Sequence, residues 1–431
     1  MSINLNSYNL RGEEAKRLIP AFEMVKSGDF INLTYLGEVY LNKPPLFYWF
    51  TVVSSKIFGW DAVTIRALSI FFVVLTALLI YFFSKYLFKD EKAGFFGAVA
   101  YLSFFDVLFW YGWIGEIDAT FTFFVFFMFV LQFIGFRENK GIFIVLSGVV
   151  AGLSFLLKGI PSYLFFGTNF LVMAVFYKKF FVLFRPIFLL SYVFALLVPA
   201  VWIFSTSQPI TLLKTLLYEG TQRVKKDSHA LIKHILGYPL TNIKQTLPAS
   251  VFFIYMAIRK KIPLNKDVKL LFFIIGINYL PYLFSVGSHG RYVLPLFPIF
   301  AVVFGYALSR NSKTLQKAFF VAVAFFIVLR LFAGVFLVPY IMKKDGNIKS
   351  IALDMAKIID NGNIVCNCEG SHKSVCFFVE VYEDKILKLP HLERDWDYLI
   401  DCNNLDSGKL IKSYKYRKGI IKLYKRSKDE N

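Results

Sequence analysis

RGEEAKRLIPAFEMVKSGDFINLTYLGEVYLNKPPLFYW, residues 11–49, decides how the rest of this sequence is read. The stretch is polar and charge-balanced: Arg11, Lys16, Arg17, Lys26 and Lys43 stand against Glu13, Glu14, Glu23, Asp29 and Glu38. Ala15, Leu18, Ile19, Phe22 and Val25 recur at helical spacing and Gly28 is a stop signal, so a short helix is predicted over 13–26. Pro44 and Pro45 bar a helix from crossing them, so a new element starts behind them. That element, 46–58, is aromatic and short, and reads as a helix lying at a membrane surface.

Outward from this stretch the chain is overwhelmingly apolar. Of 431 residues, 57% are hydrophobic and 19% aromatic, with 51 Phe, which excludes an ordinary soluble globular protein. Apolar runs long enough for a bilayer core fall at 62–87, 93–113, 117–136, 141–157, 160–177, 186–205, 238–258, 268–286, 291–309 and 317–342. The run at 238–258 is the weakest, because it carries Lys244 and Pro248. The expected fold is an all-α polytopic membrane protein of about ten spans, with a small polar domain after them.

The formal charge of +20 points to nucleic acid in a soluble protein, but here the basic residues sit in short loops between apolar runs and in the tail. They read as a topology signal and an attraction to anionic membrane lipids, with no nucleic-acid motif among them. Lys85, Lys89 and Lys92, Arg137 and Lys140, Lys178, Lys179 and Arg185, the cluster 259–266, and Arg310, Lys313 and Lys317 mark alternate loops as cytoplasmic. With ten spans, the segment 1–60 and the tail then both face away from the cytoplasm. A polar outer segment normally follows a span, so one more helix is expected upstream of Met1. Three regions result: 1–60 as a first external loop, 61–342 as the membrane domain, and 343–431 as an extracytoplasmic α/β domain.

In the tail, a helix is expected near 348–359 and strands near 364–365, 375–381, 385–389, 398–400 and 420–424. Cys366 and Cys368 alternate on one strand face, so a disulfide to Cys376 or Cys402 is open to them in an oxidising compartment; free buried thiols are the alternative.

Chemistry is expected on the outer side. Glu13 and Glu14 suit a general base, or simply the first turn of a helix, where the dipole favours acids. Lys43, fixed beside two prolines, suits a lipid phosphate or snorkels to the interface. Asp118 opens an apolar run, where a lone acid is costly, and Arg66 is its expected partner. Lys16, Lys43, Lys158, Arg223, His289 and Arg291 gather donors on the same side, a set that suits an anionic, phosphate-bearing donor.

The runs RGEEAK at 11–16, SGDF at 27–30, NKPPLFYW at 42–49 and IRALS at 65–69 resemble the first external loop of the bacterial lipid A aminoarabinose transferases. They are similar also to the protein mannosyltransferases and so to the GT-C membrane glycosyltransferases. LKGIP at 157–161 and RYVLPLFP at 291–298 resemble later signatures of the same group. The resemblance implies inverting transfer from a polyprenyl-phosphate sugar to lipid A, another glycolipid or protein, at the outer face of the cytoplasmic membrane. It implies catalytic Glu13 and Glu14, with Glu13 where an Asp is usual, and donor-phosphate contacts from Lys16, Tyr40, Lys43, Lys158, Arg223, His289, Arg291 and Tyr292. Arg66 and Asp118 are accessory. Asn42 stands where an acidic metal ligand precedes the Lys in the aminoarabinose enzymes, so no metal or other cofactor is expected. The rival reading, a lipid flippase or transporter, expects charges near mid-membrane in broken helices, and the sequence places few there.

Overall fold

In a computed structural model, the structure describes residues 3, 5, 9–10, 12–221, 228–403, 405 and 407–426, without the side chains of 12, 219–221 and 228–229. The first helix, α1 (Gly12–Ser27), carries Glu13 and Glu14 in its first turn and Lys26 in its last, in keeping with the helix dipole. A two-residue hairpin follows, β1 (Thr34–Tyr35) with β2 (Glu38–Val39). Helix α2 (Leu46–Phe58) begins directly after the prolines.

The membrane domain contains α3 (Ala62–Phe88), α4 (Glu91–Ser103), α5 (Phe105–Phe109), α6 (Ile117–Glu138), α7 (Gly141–Lys158), α8 (Pro161–Phe176) and α9 (Pro186–Ser205). It continues through α10 (Pro209–Thr221), α11 (Ser228–Gln245), α12 (Ala249–Ile258), α13 (Lys266–Leu283), α14 (Phe297–Ser309), α15 (Lys313–Phe332) and α16 (Val338–Asp345). Among the described residues, six helical segments are long and apolar enough to cross a membrane, and shorter apolar helices accompany them. Phe71, Val74, Leu78 and Phe82 form an exposed stripe at helical spacing along α3, as expected where lipid is the solvent.

Helices pack closely where side chains are small. A Cβ on Gly148 of α7 would overlap the Ser191 carbonyl of α9, so only glycine allows that approach. Polar side chains in the interior bond to each other: Asn169 donates to Gln132 (3.2 Å) and Asn278 to Asn169 (3.0 Å), tying α6, α8 and α13 together.

Two expected spans are interrupted. The run 93–113 breaks at Phe104, and 238–258 breaks before Ala249, where Pro248 offers no amide hydrogen. The breaks meet: the Phe105 amide donates to the Leu247 carbonyl at 2.8 Å, so one interruption satisfies the other away from water.

The tail holds α17 (Ile348–Ile358), β3 (Ile364–Asn367), α18 (Lys373–Glu383), β4 (Tyr398–Asp401), β5 (Lys409–Tyr416) and β6 (Gly419–Lys425). The sheet runs β3-β4-β6-β5, parallel only between β3 and β4. The expected strand at 375–381 is instead α18. It packs on α17 and α1 and is tied to β3 by the Cys366–Cys376 disulfide, and a helix buried on all sides reads as the same unbroken apolar run as a buried strand. The segment 385–389 is extended but joins the sheet only through one bridge, Val365 with Lys388. Strand β5 was not expected, because its largely exposed residues give no apolar run. Cys366 bonds Cys376 and Cys368 bonds Cys402, so both open pairings resolve as disulfides.

The tail shares a core with the first loop. Leu18, Ile19 and Phe22 of α1 and Leu36 of the hairpin pack with Ile351, Phe377 and Tyr416. Within this contact Glu23 of α1 and Glu380 of α18 are both fully buried and within hydrogen-bonding reach of each other. The Gly37 amide donates to Glu23 (3.4 Å), and the Leu387 amide to Glu380 (3.1 Å). Burial pushes the Glu23 carboxyl up to about 7; burial and then the Glu23 charge push Glu380 well above the ordinary range. The folded pair therefore holds protons that an unfolded chain releases near its ordinary value of 4.5. Stability from this pair is complete below that value and is lost as pH rises through about 7. The melting temperature is expected to fall between pH 5 and pH 8, and Glu380→Gln, whose amide donates to Glu23 at any pH, to flatten that fall in differential scanning fluorimetry.

Candidate active site

Adjacent residues on a helix point about 100° apart, so α1 cannot present Glu13 and Glu14 to the same partner. Glu14 faces inward and is fully buried. Its carboxylate accepts from Arg66 Nε (2.8 Å) and Nη2 (2.7 Å), a bidentate pair, and from the Gly115 amide (3.0 Å). A side chain on Gly115 would run into Ile65, so glycine is what lets that amide approach. Glu13 faces outward, with 39% of its side chain exposed. Lys16 (3.0 Å) and Arg17 (3.4 Å) hold its two oxygens. Partial burial would raise this carboxyl, but the neighbouring Lys16 and Arg17, with Arg291 farther off, outweigh it and keep it below its ordinary value. Glu13 is thus ionised and accessible at neutral pH.

The opposite wall comes from the loop before α6, the end of α7 and the 3-10 turn Gly290–Leu296. Arg291 donates to Glu116 at 2.8 Å. Lys158 donates to Asp118 at 2.5 Å and lies over the rings of Phe121 and Tyr292, 5.1 and 5.4 Å from their centroids. Arg291 is within electrostatic reach of Glu13, and Arg17 of Glu116, so the two walls form one charge network. Burial, then the Asp118 charge, raises Glu116 to about 7 against the pull of Arg291.

The expected residues fall into distinct places. Glu13, Lys16, Lys158, Arg291 and Tyr292 converge on this network. Tyr40 lies against it, its ring 6.4 Å from that of Tyr48, whose hydroxyl accepts from Arg17 at 3.3 Å. Lys43 is half-buried two residues ahead of Pro45, the cap of α2. His289 caps the 3-10 turn, receives the Tyr238 hydroxyl on its carbonyl (3.0 Å), and sets its ring 5.6 Å from Tyr292. Arg223 lies outside the described residues. The expected Asp118–Arg66 pair is a correction: Arg66 is taken by Glu14 and Asp118 by Lys158, because α1 reaches Arg66 first and α7 ends beside α6. Sequence reasoning also passed over Arg17 and Glu116. The signal for Glu116 was present in GEID at 115–118, an acid two residues ahead of the one selected.

Two cavities adjoin this network. A polar one of about 380 Å³ lies between the first loop and the tail, lined by Lys16, Tyr35, Tyr40, Asn42, Glu369 and Lys373. An apolar one of about 240 Å³ opens between the later helices, lined by Ile243, Phe253, Ile254, Val293, Phe297 and Phe300. Val293, in the lining of the apolar cavity, directly follows Tyr292 of the network in the chain.

Residues 42–205 match the family model described as dolichyl-phosphate-mannose-protein mannosyltransferase. Over 141 residues the chain is 32% identical to the undecaprenyl phosphate-alpha-4-amino-4-deoxy-L-arabinose arabinosyl transferase of Aeromonas hydrophila, covering 32% of this chain and 26% of that protein. The Pseudomonas aeruginosa protein of the same name is 28% identical over 145 residues, 33% of this chain and 26% of its own length. The matched segment thus spans about a quarter of these curated relatives. In fold the chain is similar to the crystal structure of ArnT from Cupriavidus metallidurans bound to undecaprenyl phosphate, with TM-score 0.76 at 17% identity over 97% of this chain and 95% of that one. The apo structure of the same protein gives a TM-score of 0.74 at 16% identity over 97% and 94% of the two chains. The chain thus has the multi-pass helical fold of that solved protein, and within it residues 42–205 match the mannosyltransferase family model.

Proposed function

We propose that this protein is a glycosyltransferase that moves a sugar from a polyprenyl-phosphate donor to a lipid-linked or protein acceptor at the outer face of the cytoplasmic membrane. The observation that carries the reading is Glu13. It is an ionised, accessible carboxylate facing a buried charge network, while its neighbour Glu14 is locked away by Arg66.

The donor's lipid tail lies in the apolar groove and its phosphate meets Arg291 and Lys43. The acceptor oxygen attacks the anomeric carbon from the face opposite the phosphate. As the new C–O bond forms, the bond to the phosphate oxygen breaks and configuration inverts. Glu13 takes the acceptor proton, and the lipid phosphate leaves as an anion. Its growing charge is stabilised by cations already in place, so the contacts strengthen in the transition state. Tyr292 and His289 shape the phosphate end, and Lys158, neutralised by Asp118, holds the Tyr292 ring. The polar cavity beside Lys16 receives the acceptor: Tyr35 and Tyr40 offer ring faces, and Asn42, Glu369 and Lys373 offer hydrogen bonds. Disulfides in the tail and basic residues in the opposite loops support the outer orientation. A protein that carried lipid across the bilayer would keep open polar groups at mid-membrane, whereas Gln132, Asn169 and Asn278 satisfy each other.

Release of polyprenyl phosphate by purified protein given a polyprenyl-phosphate sugar tests the reading. Glu13→Gln and Lys43→Ala are expected to reduce transfer at least about a hundredfold without lowering the melting temperature; full activity in both sinks it. Lys373→Ala is expected to raise KM for the acceptor while leaving donor KM unchanged. Arg66→Ala removes the bidentate cation from buried Glu14 and should cost about 3–5 kcal/mol of stability, read as a drop in melting temperature.

A further inference from the structure

We propose that the end of the membrane domain farthest from the charge network carries a separate site for an anionic phosphoglycerol lipid headgroup. Helix α6 runs about 30 Å from Asp118 to its last turn. There, with the starts of α7 and α9, it encloses a cavity of about 500 Å³. Arg137, Lys179 and Arg185 line it. Arg137 is engaged by Asp267 at 3.2 Å. Lys179 and Arg185 are exposed, and among the described residues neither has a side-chain partner. Nearby acids are committed elsewhere: Glu138 to Lys140 at 2.6 Å, and Asp267 to Arg137.

Two more observations point to an anion. Helices α7 and α9 both begin at this cavity, through Gly141 and through Arg185 and Ile187, and neither has a side-chain cap on its first amides. Their positive dipole ends add to the cations. The anion belongs to a lipid because of what stands beside the cavity. In the 3-10 turn Phe180–Phe184, Phe180, Phe181 and Phe184 are 45%, 86% and 61% exposed, directly between Lys179 and Arg185. Rings that bare are stable among acyl chains, and immersing them there brings both cations to headgroup depth. One phosphate oxygen pair then meets Arg185 and the Ile187 amide at the start of α9, where Pro186 has no amide hydrogen and Phe188 and Leu189 donate to the Arg185 carbonyl, with Lys179 over the other side. The glycerol hydroxyls fall toward Asn139, which also lines the cavity.

Native mass spectrometry of the full chain in neutral detergent tests this, with added dioleoyl-phosphatidylglycerol, dioleoyl-phosphatidylcholine or sodium phosphate. The expected result is retention of phosphatidylglycerol over phosphatidylcholine, and a loss of that preference by roughly tenfold in the Lys179→Ala/Arg185→Ala variant. Sodium phosphate at equal concentration should not displace the lipid. Equal retention of the two lipids by the unaltered protein would overturn the site whatever the variant does. So would an unchanged preference in a variant that elutes and melts normally. Displacement by inorganic phosphate would also overturn it, assigning the cavity to a free anion.

Discussion

Glu14 and Arg66 bind the first loop to the membrane domain. This single bidentate contact, closed by the Gly115 amide, joins the helix that opens the chain, the first long span, and the loop ahead of α6. It is fully buried, so breaking either half removes the opposite charge from the other where water cannot replace it. It also sets the direction of its neighbour. Once Glu14 points into the protein, helical geometry turns Glu13 outward, toward Lys16, Arg17 and Arg291. The usefulness of one acid depends on the immobility of the next.

The rest of the site follows the same economy of paired charge. Each acid of the inner wall has its cation, Glu116 with Arg291 and Asp118 with Lys158, and the two walls sense each other through Arg17 and Arg291. Cations already paired in this way are what the proposed transfer would use to stabilise a leaving phosphate. The tail completes it from above. Its core is continuous with α1 and the hairpin, so Lys373 and Glu369 reach the cavity on a framework fixed to Glu13. The protonated Glu23–Glu380 contact lies in that same framework.

Much of this was legible in the order of residues. Apolar runs of the right length located the long helices, because a bilayer accepts little else. The two prolines after Lys43 placed the start of α2. Where the reading failed, periodicity carried too little information. Residues 375–381 pack on every side, so nothing distinguished helix from strand. Strand β5 is mostly exposed and lacked an apolar signal. The partner of Asp118 was misassigned because pairing between distant residues depends on which helix ends meet, and here α7 ends beside α6.

By itself the sequence determined that this chain lives in a membrane, where its long apolar helices run, and that its first segment carries acids beside a lysine-proline turn. Those follow from local chemistry: transfer of apolar side chains out of water, and the missing amide hydrogen of proline. Only the tertiary structure decided which of two adjacent glutamates is sealed and which is open, which cysteines join, and which cations face each acid. Those outcomes depend on distances between residues far apart in the chain, and a charge is useful or costly according to what the fold brings within a few ångströms of it.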